Sequence, residues 1–232
     1  MIDFHTHILP NMDDGPKDRE TSLELLNLLE KQNVELVYLT SHFYPSRESI
    51  DEFLKRRSKA YKVLNYKGNI KLKLGSEVHY YSGISQSENL DKLCLEDSNI
   101  LLLELPFETI ISDLMIKEIL SLSNRGFRVM LAHIERYNVD EQKLIYLRNN
   151  GVLIQANCEF IIGSFFDRKG IKWLKKGYID VMGTDCHNLN TRKPNYLEAV
   201  NTIKNKINEA FCCSFLDNGG KIVLWKNFLL YF

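Results

Sequence analysis

Short β-rich runs alternate with longer stretches of helical periodicity along almost the whole chain. No other feature constrains the fold as much. The runs are IDFHTHIL, VELVYLTSH, IKLKLGSEV, NILLLELP, FRVMLAHIE, VLIQANCE and YIDVMGTDCH. Helical segments fall between most of them. Asp18 to Gln32 carries Leu23, Leu25, Leu26, Leu28 and Leu29 on a helical repeat, with Pro16 near its start. A second helix over 46–66 is opened by a serine with the acidic Glu48 to Asp51 region close behind it. Further helices are predicted near 110–124, over 140–150, through WLKKG and, as one long element, over 195–211. Strands alternating with helices predict a parallel sheet with right-handed crossovers. About seven such units with no GxGxxG turn favour an α/β, TIM-like barrel over a doubly wound sheet. A chain of 232 residues is long enough to be one barrel domain over 1–232, and no repeat, low-complexity segment or linker divides it.

The polar residues at the strand ends carry the functional signal. In order they are His5 and His7, His42, Glu77, Glu104, His133, then Asp185 and His187. Each is a metal-competent side chain, and five of the six histidines are among them. In a parallel α/β barrel those ends share one face, so residues scattered through the sequence converge at one mouth. Side chains alternate along a strand, so His5 and His7 point the same way and can chelate one ion through two imidazoles. Asp185 and His187 repeat that spacing. Asp13 and Asp14 lie in the first strand-to-helix loop over the same mouth, where Gly15 permits a tight turn. A lone strand-end histidine is more often a hydrogen-bonded structural residue. Eight such residues at matching positions are hard to reconcile with core packing, because a buried charge without a partner is costly. The pattern predicts a multi-metal site. His79, two residues past Glu77, is expected at the surface or against a substrate.

Composition excludes other classes. Lysine plus arginine equals aspartate plus glutamate at 30 each, which gives no nucleic-acid footprint. MIDFHTHILP lacks a basic n-region, and its apolar run is interrupted by Asp3, His5 and His7, so it does not read as a signal peptide. No stretch approaches the ~18 apolar residues that span a bilayer, so no direct membrane insertion is expected. The expected location is cytoplasmic. Cys94, Cys158, Cys186, Cys212 and Cys213 are odd in number and irregularly spaced, as reduced thiols are. Nothing in the sequence sets an oligomeric state.

HTHILPNMDDG, TSH (40–42), GSE (75–77), LLLELP (101–106), AHIERY (132–137) and TDCHNLNTRKP (184–194) together resemble the PHP superfamily, named for polymerase and histidinol phosphatase domains. The match is strongest to its manganese-dependent protein-tyrosine phosphatases of bacterial capsule and exopolysaccharide clusters, and runs from Met1 to about Trp225. The resemblance implies a distorted (β/α)7 barrel, the PHP fold, holding three divalent metal ions. Mixed imidazole and carboxylate ligation suits manganese, iron or zinc, and the resemblance tips this to Mn2+. It implies His5, His7, Glu77 and Asp185 around a first ion. Glu77 would bridge to a second ion completed by Glu104 and His133. Asp14, His42 and His187 would hold a third, with Asp13 the less favoured of the aspartate pair. Arg136 and Arg192 match the family's phosphate-binding arginines and are the expected catalytic and substrate-binding residues. Cys186 and Asn218-Gly219 depart from the usual pattern without touching these positions.

Three divalent ions outweigh the carboxylates of Asp14, Glu77, Glu104 and Asp185, and the two arginines add to the positive field. Such a site favours a phosphate monoester dianion over a neutral amide. The expected reaction is in-line attack on phosphorus by a hydroxide shared between two ions. The implied partner is the phosphotyrosine tail of a bacterial tyrosine autokinase that controls polysaccharide export. Four other readings compete. CHNLNTR (186–192) fits C-x5-R, the pattern of cysteine-dependent tyrosine phosphatases, yet has no glycine for the loop. A PHP phosphoesterase acting on a small molecule such as histidinol phosphate is another. An amidohydrolase would want a carboxylated lysine bridging its metals where Glu77 and Glu104 stand. A metal-stabilised, non-catalytic scaffold that binds a kinase is the fourth.

Overall fold

The first helix forms where the sequence places it. Asp18 accepts from the Thr21 amide at 2.7 Å and caps α1 (Arg19–Lys31). Its Leu25, Leu26 and Leu29 are wholly buried, each contributing about 1.5–3 kcal/mol of apolar burial. The computed structural model describes residues 1–164 and 168–224. Trp225, the expected limit of the resemblance, lies outside the described residues.

The remaining elements follow in order: β1 (Ile2–Thr6) before α1, then β2 (Leu36–Leu39), β3 (His42–Phe43), α2 (Ile50–Leu64), β4 (Lys71–Leu74), β5 (Glu77–His79), β6 (Ile100–Glu104), α3 (Asp113–Asn124), β7 (Arg128–Leu131), α4 (Glu141–Asn149), β8 (Leu153–Asn157), α5 (Cys158–Ile162), α6 (Lys169–Lys175), β9 (Val181–Gly183), α7 (Tyr196–Lys206) and α8 (Glu209–Leu224). All strand pairings are parallel, as the alternation predicts. The strands run β1-β2-β4 in one ladder and β3-β5-β6-β7-β8-β9 in another.

The sheet curls in the TIM-like way expected, but its two ladders do not form a complete barrel. The runs VELVYLTSH and IKLKLGSEV each break into two strands, β2 with β3 and β4 with β5. At the break the Glu77 amide is shared between the Thr40 and Ser41 carbonyls at 3.1 and 3.2 Å. Past this change of pairing, His42 and Glu77 lie side by side in the next ladder, both buried. On the far side, β1 and the segment after β9 meet through one parallel bridge, Thr6 with Cys186. The Asp185 amide donates to the His5 carbonyl at 2.7 Å and the His7 amide to the Cys186 carbonyl at 3.0 Å. Asp3 reinforces this seam, accepting from the Thr184 amide at 2.9 Å and hydroxyl at 2.6 Å. Burial pushes the Asp3 carboxyl up to about 6 in spite of those bonds. A side chain at Gly183 would stand 2.6 Å from the His5 Cβ, so glycine is required for this approach.

Two helix boundaries differ from expectation. The second helix starts at Ile50, where Ser49 and Glu52 form a capping box, and not at Ser46. The long C-terminal helix is two helices. The chain breaks at Ile207, and Asn208 restarts it by accepting from the Phe211 amide at 2.7 Å. Among the described residues no helix is long and apolar enough to cross a membrane.

Candidate metal centre

The strand ends bring all nine expected ligand side chains into one cluster centred on Glu77, which is fully buried. Glu77 Oε2 lies 3.2 Å from His5 Nε2, 3.1 Å from His7 Nε2 and 2.9 Å from His42 Nδ1. Its Oε1 lies 2.6 Å from His133 Nε2. Asp185 Oδ1 is 3.6 and 3.4 Å from the His5 and His7 Nε2 atoms. Glu104 approaches His133 Nε2 at 3.6 Å and His42 Nδ1 at 3.5 Å. At the rim, Asp14 Oδ1 is 3.2 Å from His187 Nε2 and 3.6 Å from His42 Nε2. The donor atoms fall into four overlapping groups, each within 4.8 Å: His7, Asp14, His42 and His187; His5, Glu77 and His133; His5, His7 and Asp185; His42, Glu77 and Glu104.

Asp13 takes a different part from Asp14. Its Oδ2 is 2.8 Å from His7 Nδ1 and accepts from the His42 amide at 3.0 Å, so it orients two histidines from behind. Gly15 beside it is needed for space, since a Cβ there would sit 2.2 Å from the His7 carbonyl oxygen. Other histidines are held the same way. His133 Nδ1 meets the Tyr137 hydroxyl at 3.2 Å, and His187 Nδ1 the Asp185 carbonyl at 2.8 Å. Such outward partners fix the ring and leave the inward nitrogen free to bind a metal.

The sequence reading missed the β8 contribution. Gln155 Oε1 accepts from the His133 amide at 2.6 Å and faces His5 Nδ1 at 3.1 Å. An amide oxygen only accepts, so the His5 proton sits on Nδ1 and the Nε2 lone pair faces the cluster. Gln155 Nε2 donates to Asn157 Oδ1 at 3.0 Å, and Asn157 Nδ2 donates to Asp185 Oδ2 at 3.0 Å. Neutral amides carry no metal-type signal. The period-two spacing of Gln155 and Asn157, the same as that of His5 and His7, is the clue available. Tyr44 was missed too; its ring lies 5.1 Å from His42 and 5.3 Å from His79. His79 Nδ1 lies 3.2 Å from Glu104 Oε2, which places it at the edge of the cluster.

The electrostatics agree with the crowding. Burial pushes the Glu77 carboxyl up, but His5, His42 and His133 hold it well below the usual carboxylate range. Burial lowers His7, yet Asp13 and Glu77 lift it well above its ordinary value. His187 is pushed down by burial and by His7. Burial raises Glu135, which accepts from the Asn157 amide, to about 7. His133 and Asp185 adopt positive φ of 28° and 52°, backbone strain of the kind found at functional sites.

The donor set fits divalent cations. His42 Nδ1, Glu77 Oε2, Asp185 Oδ1 and His187 Nε2 are buried and make no well-aligned hydrogen bond among the described residues, although each faces another side chain of the cluster at 2.9–3.4 Å. Four buried donor atoms that converge without aligned hydrogen bonds aim their lone pairs at a common space, an arrangement that fits a shared cation. Arg136 and Arg192 stand beside it, each Nη2 on Asp185 Oδ2, at 2.6 and 2.7 Å. Their side chains are 29% and 32% exposed, so both guanidinium groups face the mouth. Cys186 points the other way, is fully buried, and burial pushes its thiol up. A cysteine nucleophile needs the opposite setting.

A model of the capsular polysaccharide synthesis family CpsB/CapC matches residues 1–224. The chain belongs to that family. It is 30% identical to the tyrosine-protein phosphatase CpsB of Streptococcus pneumoniae, over 97% of this chain and 98% of that protein. The tyrosine-protein phosphatase YwqE of Bacillus subtilis is 27% identical over 86% of this chain and 82% of its own. The fold is similar to a chain from the crystal structures of YwqE and CpsB, reported as metal-dependent tyrosine phosphatases. That likeness has a TM-score of 0.78 at 22% identity and covers 96% of this chain and 94% of the other.

Proposed function

We propose that this chain is a metal-dependent protein-tyrosine phosphatase, one PHP-type domain whose curled sheet is a distorted (β/α)7 barrel. The observation that carries the reading is the set of converging, inward-facing His, Asp and Glu donor atoms next to two arginines that share one carboxylate. His5, His7, Glu77 and Asp185 would hold one divalent ion; Glu77, Glu104 and His133 a second; Asp14, His42 and His187 a third. Mn2+ is the ion proposed. Bound there, such ions supply Lewis-acid charge and acidify water, so that a nucleophile is available at neutral pH.

The chain's own groups do the rest. Gln155 keeps the His5 proton on Nδ1, and Asp13 orients His7. Arg136 and Arg192, steadied by Asp185, bind the non-bridging phosphate oxygens and offset charge as phosphorus is attacked. A phenol of pKa ~10 leaves more readily than a serine alkoxide, which favours phosphotyrosine. The kinship to named tyrosine phosphatases supports the same substrate. The proposed partner is the phosphotyrosine tail of a bacterial tyrosine autokinase, in the cytoplasm, and the proposed setting is capsule or exopolysaccharide synthesis. Turnover of a phosphotyrosine peptide against histidinol phosphate tests this. Preference for the peptide supports the reading, and preference for histidinol phosphate refutes it.

A further inference from the structure

The loop that carries Asp13 and Asp14 has a second, outer wall. There Pro10, Met12, Lys17 and Arg19 close with Lys59 and Val63 of α2 around a cavity of about 350 Å3. Pro10 and Met12 are buried and give it an apolar floor. Its cations are unequally engaged. Arg56 is already paired with Glu48, through Nε at 2.9 Å and Nη2 at 2.6 Å. Lys17 donates to the Asp13 carbonyl and Arg19 Nε to the Leu64 carbonyl at 3.0 Å, both neutral acceptors. Lys59 has no carboxylate within ion-pair distance among the described residues. Asp18, which also lines the cavity, stays anionic while its Oδ1 caps α1, so Lys17, Arg19 and Lys59 leave the lining net positive against it. Three cations lacking a carboxylate partner around an apolar floor match an anion on a short aliphatic stem.

We propose that this cavity is a docking subsite for an acidic side chain of the same peptide that presents its phosphotyrosine to the metal centre. The inference rests on the phosphatase reading and deepens it by naming the substrate class, a phosphotyrosine with acidic neighbours. Lys17 lies three residues beyond Asp14, a reach of at most ~10 Å. An extended peptide covers that in about three residues.

The test uses the manganese-loaded full chain. Three phosphotyrosine peptides carry Glu, Ala or Lys at three positions to either side of the tyrosine, and an aryl phosphate serves as control. The wild-type protein should show its lowest KM for the Glu peptide, about fivefold below the Ala peptide, a gap typical of a partly exposed ion pair. That gap should close as salt rises. Lys59→Glu should reverse the ranking so that the Lys peptide binds best, a swap that a merely structural defect does not produce. Equal KM values across the three peptides, with hydrolysis intact, would overturn the subsite alone. If the wild-type protein cleaves neither the aryl phosphate nor any peptide, the phosphatase reading fails and the subsite falls with it.

Discussion

The floor and the rim of the cluster are built differently. On the floor, His5, Glu77 and His133 are sealed from water, and each histidine has its outward nitrogen engaged, His5 by Gln155 and His133 by Tyr137. At the rim, the Asp14 side chain is 61% exposed and touches His187 and, at 3.3 Å, Arg192 Nη1. The floor is preorganised and water-excluding, which suits ions held permanently and cations acting at full electrostatic strength. The rim is open to solvent, which suits a more weakly held ion and an arriving phosphate. The contrast locates retention on the floor and exchange at the rim.

The largest effect should come from the floor's centre. Glu77→Gln removes the carboxylate that four histidines face, so bound metal should be lost and phosphotyrosine hydrolysis should fall by at least ~10³-fold. Elemental analysis beside a turnover assay checks both. Next come the arginines. Arg136→Ala or Arg192→Ala should lower kcat/KM by about 10²-fold with metal content unchanged, the size of losing one charge-stabilising donor. Gln155→Leu should weaken metal affinity about 10- to 100-fold, as loss of an outward partner does, while the fold persists. Titration calorimetry with manganese reads that directly. At the rim, Asp14→Asn should cost about one ion per chain and ~10-fold in kcat/KM. A larger loss there than at Glu77 would reverse the floor–rim comparison. The smallest effect is expected at Cys186→Ser, which should keep turnover and lower stability by only about 1–2 kcal/mol. Abolished turnover in a folded, metal-loaded Cys186→Ser chain would revive the cysteine reading.

Legibility in the sequence followed the same division. The donor side chains could be read because each is a distinctive residue at the end of a β-run, and parallel strands gather their ends on one face. The start of α1 was legible because Asp18 is a capping residue placed just ahead of the leucine repeat. The strand breaks were not. VELVYLTSH is a continuous run in sequence, and only the change of pairing at Thr40 and Ser41 divides it. The division into two ladders was hidden for the same reason, while the seam where β1 meets the segment after β9 depends on Asp3, Thr184 and Gly183, which carry no signal of it in the sequence. Gln155 and Asn157 escaped notice because amides occur on any strand, and their role appears only once His5, His133 and Asp185 surround them. The break at Ile207 was hidden by helical periodicity running through it, and Asn208 was the overlooked signal.

Metal dependence is the claim on which the rest stands. The most direct measurement is to strip the purified chain with chelator, count bound ions by mass spectrometry, and follow phosphotyrosine hydrolysis as manganese is returned. Activity should vanish with the ions and recover in step with their uptake, and a chain with His5→Ala and His7→Ala should regain neither. Undiminished hydrolysis by an ion-free protein, or by that doubly substituted chain, would contradict the account.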